Sequence, residues 1–247
     1  MNTDLFSKQA SFYAQYRPHY PDSLFQFLDS HLYERKLAWD VATGNGQAAN
    51  VLATLFDQVH ATDISAQQLS HAIQRSNISY HLEPAEKSSL PDNSVNAITV
   101  ATALHWFNRP LFYQEADRVL KKGGILFVWS YGGCRINAAI DKIIDHFNFE
   151  QLEPYWHDGA KMNWRDKYQS IRLPFEEITT PDFISQHHYT LEEVMNYMFS
   201  WSGVQNYIQQ HQSNPILLIE KKLSEAWGDP TEKRLVSWHL HSKCARK

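Results

Sequence analysis

At 247 residues, with 43% apolar and 20% charged side chains, the chain has room for one large α/β domain or two small ones. A net charge of −4 leaves no electrostatic footprint for DNA or RNA, and two cysteines, Cys134 and Cys244, build neither a disulfide framework nor a zinc site alone. No basic patch leads into an apolar stretch at Met1–Leu5, and the longest apolar run, Gly124–Trp129, is far too short to span a bilayer, so a soluble cytoplasmic protein with no membrane partner is expected.

Asp22 opens a helix on which Leu24, Phe25, Phe27, Leu28 and Leu32 recur at helical spacing. Leu37-Ala38-Trp39 reads as a buried strand, followed by Asp40, a tight Gly44-Asn45-Gly46 turn and a helix from Gln47 to Phe56. Gln58–Asp63 is a second strand, Ser65 caps a helix running to Arg75, Ile78–Leu82 is a third strand, and Ser94–Thr102 a fourth, rich in Val, Ile and Thr. A helix over Leu111–Leu120 ends in two lysines, with Gly123 suited to the position after the helix, and Ile125–Tyr131 is a fifth strand. Strands alternating with helices argue for βαβ units and a mostly parallel sheet.

Beyond Tyr131 the pattern changes. Asn137–Phe149 is helical, and Glu150–Leu173 is irregular and rich in Trp, Tyr and Asp. Phe183–His188 reads as a strand, Leu191–Gln210 as one long helix, Pro215–Trp227 as another, and Arg234–Cys244 as a terminal strand. One domain with an inserted helical cap accounts for this order.

Ligands on such sheets bind outside the carboxyl ends of the strands, at the switch point of strand order. Asp40–Gly46, Asp63 and Ala101–Trp106 all fall at such ends. Glycines let the backbone turn sharply and approach a ligand, and an acid ending the following strand can accept both hydroxyls of a ribose. The pattern describes a pocket for a nucleoside-containing cofactor. His187-His188 point to opposite faces of a strand, and His239 and His241 share a face but lack partners, so no metal site is expected.

These residues resemble the class I S-adenosylmethionine-dependent methyltransferases of the type 11 subgroup, and within it the small-molecule enzymes related to trans-aconitate methyltransferase. The resemblance rests on Asp40-Val41-Ala42-Thr43-Gly44-Asn45-Gly46-Gln47, Asp63, Ala85-Glu86, Ala103-Leu104-His105-Trp106-Phe107 and Arg118–Gly124, with Tyr16–Pro21 and Ser200–Gln205 as flanks. It implies a Rossmann-like, seven-stranded, mostly parallel sheet with an antiparallel last strand and helices on both faces. Residues 1–247 then form a single domain: an N-terminal lid (1–21), a cofactor-binding core (22–131), a helical cap insertion (132–173) and a segment completing the sheet (174–247). Two positions depart from the family pattern: Ala42 replaces its first loop glycine, and Pro84 replaces the acid that commonly holds the adenine amino group.

The resemblance further implies that the Gly44/Gly46 turn and Ala42 receive the amino-acid end of S-adenosylmethionine. Asp40 would anchor that loop and meet the ammonium, and Asp63 would take the ribose hydroxyls. Ile64 and Ala85 would hold adenine, with Glu86 and Ala101 completing the cofactor site, and Tyr13 and Arg17, beside Phe6 and Phe12, would close a lid. His105 and Trp106 are the catalytic candidates, His105 as a base or as an orienting group, and acceptor contacts are expected from the cap, Asn137–Leu173, and from the helix holding Trp201 and Gln205. Phe107 reads as core. Arg135, Arg165 and Arg172 are candidates to clamp an acidic acceptor, though ordinary surface charges account for them as well. The implied function is methyl transfer to a small-molecule acceptor, a carboxylate in the resembling enzymes. Competing readings are a non-catalytic S-adenosylmethionine-binding protein and a nicotinamide-dependent oxidoreductase. The latter wants Gly-x-Gly-x-x-Gly, in which Ala49 is tolerable at the third position, but Asp40 before the loop and a terminal strand favour S-adenosylmethionine. Oligomeric state is not legible.

Overall fold

The structure, a computed structural model, describes residues 16–247; Phe6, Phe12 and Tyr13 of the expected lid lie outside the described residues. In chain order the main elements are α1 (Asp22–Ser30), β1 (Leu37–Val41), α2 (Gln47–Leu52), β2 (Gln58–Asp63), α3 (Ala66–Ser70), β3 (Ile78–Leu82), β4 (Val95–Ala101), α4 (Arg109–Val119) and β5 (Leu120–Arg135). There follow α5 (Ala138–His146), α6 (Asp158–Asp166), β6 (Glu176–Ile178), β7 (Phe183–Tyr189), α7 (Leu191–Phe199), α8 (Ser202–His211), α9 (Glu220–Trp227) and β8 (Arg234–Arg246). No helix among the described residues is long and apolar enough to cross a membrane.

One sheet runs in the order β3-β2-β1-β4-β5-β8, parallel as far as β5 and antiparallel at β8. The eighth segment arises because β6 and β7 both pair antiparallel with β8, against residues 244–246 and 234–240 respectively. They share its outer edge in succession, interrupted where Pro181 has no N–H to give a ladder. The sheet therefore has the expected architecture, with its seventh position split in two.

Strands covered on both faces read as nearly continuous apolar runs. Phe127 and Trp129 of β5 face one way, into a core with Leu24, Leu28 and Leu52, while Leu126 and Val128 face the other, with Trp39, Ile98 and Phe112. Boundaries differ from sequence expectation where side chains compete for the backbone. Pro21, not Asp22, precedes α1, and Asp22 sits in its first turn. The helix capped by Ser65 stops at Ser70, because Ser70 Oγ and His71 Nδ1 both bond the Gln67 carbonyl. Gly123, at φ 80°, turns within the start of β5, where its N–H bonds the Lys247 carbonyl at 2.7 Å, rather than ending α4. The expected long helix is broken into α7 and α8 at Ser200-Trp201, where Trp201 is extended. The segment read as irregular holds a π-helical turn over Phe147–Gln151 and the helix α6.

Strand order reverses between β1 and β4, and a buried acid spans that point. Asp40 on β1, 1% exposed, accepts from Thr99 Oγ1 of β4 at 2.7 Å and from Thr43 Oγ1 of the following loop at 2.5 Å. Burial pushes its carboxyl up to about 6, opposed by those hydroxyls and the Ala49 N–H. Between about pH 4 and 6 the native state holds a proton that the unfolded chain has released, so stability falls as pH rises through that window and is flat above it. The shift corresponds to about 3 kcal/mol at most. Urea unfolding of the wild type and of Asp40→Asn across pH 4–7 is expected to show the variant gaining on the wild type by about 2–3 kcal/mol. A pH-independent difference would remove Asp40 as the titrating group.

Candidate active site

The loop after β1 is built from left-handed residues. Ala42, Gly44 and Gly46 have φ of 53°, 59° and 83°, and Gly46 N–H closes onto the Thr43 carbonyl at 3.0 Å. A Cβ on Gly46 would stand 2.4 Å from the Tyr80 hydroxyl, which itself donates to the Ile73 carbonyl at 2.6 Å. On Gly44 a Cβ would meet only Gln68 Oε1, at 3.9 Å, among the described residues, so the backbone there is open to close approach.

Asp63, ending β2, reaches across to this turn. Its Oδ2 accepts the Gly44 N–H at 2.9 Å and its Oδ1 the Ser65 N–H at 2.8 Å. Burial raises its carboxyl above the usual carboxylate range, with those N–H groups opposing. Next to it Ile64 is 61% exposed, a large apolar side chain at a strand end. The loop carrying Ala85 is tied to the same place, since Glu83 N–H bonds the Asp63 carbonyl at 3.1 Å. Glu86 is engaged elsewhere: its Oε1 accepts the Asn108 N–H at 2.7 Å, fastening the loop to the start of α4. Ala101 ends β4, half-buried beside Trp129 of β5.

Adjoining these strand ends is a cleft of about 700 Å³ between the sheet and the cap. The sheet supplies Thr102, Ser130, Tyr131, Gly132 and Gly133, and a short 3-10 turn (Leu104–Trp106) supplies His105 and Trp106. The cap side supplies Asn148, Trp156, Ala160, Tyr197, Trp201 and Ser202, and Arg17 joins from the N-terminal side. Arg17 donates to the Ser200 carbonyl at 3.2 Å and lies 5.6 Å above the Tyr197 ring. Its segment is fastened by hydroxyl donors: Tyr131 to the Pro18 carbonyl, Tyr189 to that of Tyr16 and Ser185 to that of His19. Trp106 packs 4.7 Å from His157 at the start of α6, and Gly159 comes so close to His105 that a Cβ would lie 2.7 Å from its carbonyl. Burial, with His157 nearby, pushes the His105 imidazole down to about 3, so it is neutral above pH 4, and its Nδ1 is buried without a partner.

Other candidates fall outside the cleft. Phe107 packs on Phe112 as core, at 5.0 Å. Gln205 donates to the Phe199 carbonyl at the end of α7. Arg135 pairs with Asp145 at 2.8 Å, Arg165 with Glu153 at 3.4 Å, and Arg172 donates to the Gln169 and Ile171 carbonyls, and none of the three lines the cleft. Sequence reading missed Tyr131 and Tyr197, and named the cap that holds Asn148 and Trp156 without singling out either residue. The aromatic richness of 150–173 pointed toward Trp156 alone. It also missed His60, His81 and Glu83, whose ligand atoms lie within 4.8 Å of one another. There the imidazoles stack at 4.0 Å and 19°, which aims their in-plane lone pairs alongside each other, and Glu83 instead accepts from Ser89 N–H and meets His60.

Comparison with known proteins agrees with this geometry. The family model described as a methyltransferase domain matches residues 39–128. A Dictyostelium discoideum protein named as a methyltransferase is 35% identical over 91% of this chain and 86% of its own length. A Saccharomyces cerevisiae protein named as an S-adenosylmethionine-dependent methyltransferase is 30% identical over 50% of this chain and 45% of its own. The solved structure of an Anaeromyxobacter dehalogenans protein described as a type II methyltransferase superposes with a TM-score of 0.85 at 29% identity, covering 93% of this chain and 97% of that one. With this likeness over nearly its whole length, and with a glycine turn and an acid at adjoining strand ends, the chain belongs to the class I S-adenosylmethionine-dependent methyltransferases.

Proposed function

We propose that the protein methylates a carboxylate of a small anionic acceptor held in the Arg17 cleft. The strand ends suit the methyl donor. Each Asp63 oxygen accepts one N–H and keeps lone-pair capacity for the ribose hydroxyls. Ile64 offers adenine an apolar face, with the Ala85 backbone opposite, and Ala101 borders the site. The left-handed turn of Ala42, Gly44 and Gly46, open at Gly44, receives the amino-acid end, with Asp40 fixing the loop from behind; Tyr13 is assigned to the lid. Bound there, S-adenosylmethionine supplies a methyl group on positively charged sulfur.

One observation carries the acceptor class: among the described residues lining the cleft, Arg17 is the sole permanently charged side chain, and no Asp or Glu is present. A site with that lining favours an anion. His105 supports the same reading. An imidazole pushed down to about 3 is too weak a base to take a proton from a hydroxyl or amine near neutrality, whereas a carboxylate arrives without one. His105 then orients the acceptor, Arg17 holds it, and Trp106, Trp156 and Trp201 exclude water.

Release of S-adenosylhomocysteine across a panel of short and aromatic carboxylic acids tests the reading, and turnover of amines or neutral alcohols alone would overturn it. Arg17→Gln is expected to raise KM for the acid about tenfold or more, the loss of a charge-assisted hydrogen bond worth about 1.5–3 kcal/mol. The rate should show no limb from His105 between pH 6 and 9, since that ring stays neutral throughout. A limb near pH 6.5 that disappears in His105→Asn would make His105 a base instead. Asp63→Ala is expected to weaken S-adenosylmethionine binding about tenfold or more by calorimetry. Unchanged affinity in a folded variant would remove Asp63 from the donor site.

A further inference from the structure

We infer that the acceptor carries, besides its carboxylate, a hydrogen-bond donor such as a hydroxyl or amide N–H, and that Asn148 reads it; this rests on the cleft being the acceptor site. The chain leaves α5 through a π-helical turn, closed by Leu152 N–H onto the Phe147 carbonyl at 2.9 Å. Turns of this kind insert a residue into a helix and recur at functional sites. Here the wider turn sinks Phe147 into the core, its ring facing that of Trp201 at 6.5 Å and 29°. The next residue, Asn148, lines the cleft.

Asn148 is 6% exposed, and its Oδ1 is buried with no hydrogen-bond partner. A buried amide oxygen left unmet is costly, and nearly all such groups in folded proteins are satisfied. Trp156 and Trp201 line the same cleft, and neither donates to the Asn148 oxygen. A donor on the acceptor meets that need. The residue therefore sets specificity: Arg17 takes any small acid, and Asn148 separates acids that carry a donor from those that do not. Sites built to hydrogen-bond a substrate hydroxyl reject the analogue lacking it far more strongly than apolar pockets reject a missing methylene.

Matched pairs test this: benzoate against its hydroxybenzoates, and cinnamate against its hydroxycinnamates. Two readouts are taken on the full-length protein: kcat/KM with S-adenosylmethionine, and acid binding by tryptophan fluorescence with S-adenosylhomocysteine present. In the wild type at least one hydroxylated acid should exceed its parent about tenfold or more in both. In Asn148→Leu, matched in size, the ratio should fall toward one; should that variant not fold, Asn148→Ala takes its place. Wild-type ratios near one in every pair, or a preference that survives the substitution, would overturn the inference while leaving the carboxylate reading standing. If no acid binds or turns over, the carboxylate reading falls and this inference with it.

Discussion

The hydrogen bonds of one buried carboxylate hold the site together. Asp40 and Thr99 sit side by side in register on β1 and β4, the pair of strands between which the sheet reverses its order. A parallel sheet leaves a crevice at that point because the connecting helices depart to opposite faces. Left alone, the crevice would be a gap between two loops. Asp40 closes it from below, gripping Thr99 with one oxygen and Thr43 with the other. The loops above are strained: Ala42 and Thr102 occupy left-handed backbone at the ends of those same two strands. Such residues cost on the order of 1–3 kcal/mol each and persist only where the surroundings over-determine them. Here each strand end is also tied sideways, Thr43 N–H to the Thr62 carbonyl and Thr102 N–H to that of Trp129.

The cleft depends on a second arrangement, in which aromatic rings pack the cap against the helices beside it. Trp156 and Trp201 lie 6.0 Å apart, and Tyr197 meets Trp201 edge-on at 5.7 Å. Gly203 lets α8 come so close that a Cβ would stand 2.6 Å from Trp156. Rings of this size bury a large area with two torsions to fix, so they form a firm wall at modest entropic cost. The donor end is thus positioned by backbone and carboxylates and the acceptor end by side-chain packing.

That division explains what the sequence disclosed. β2 is an apolar run that ends in Asp63 and β3 a short run between Asn77 and Glu83, and both match their expected limits, while Asp63 accepts the Gly44 N–H. Helix ends were harder, because they turn on single competing bonds such as those of Ser70 and His71 to Gln67. The cap was least legible. Nothing local marks Phe147–Gln151 as a π turn, and Trp201 leaves helical geometry because its indole packs into the cleft wall. Arg135 carries the same charge as Arg17, and its partner Asp145 stands one helix further along the chain. Which arginine lines the cleft is decided by tertiary placement, to which a one-dimensional pattern is blind.

The chemistry follows from the same asymmetry between the two ends. When a carboxylate accepts a methyl from a sulfonium, opposite charges disappear together. Tighter binding of either charged reactant weakens as the reaction advances, so on the proposed carboxylate acceptor Arg17 would contribute to capture and not to the rate of the chemical step. The aromatic wall acts in the opposite sense. Excluding water raises the energy of two separated charges more than that of the partly neutralised transition state, while alignment supplies the entropic part of the acceleration. The ester of the proposed acid would present Arg17 with no charge, and the contact that drew the acid in would no longer hold it. On that reading a single arginine in a cleft whose described lining has no Asp or Glu serves both capture and release, which a cleft ringed with cations would not.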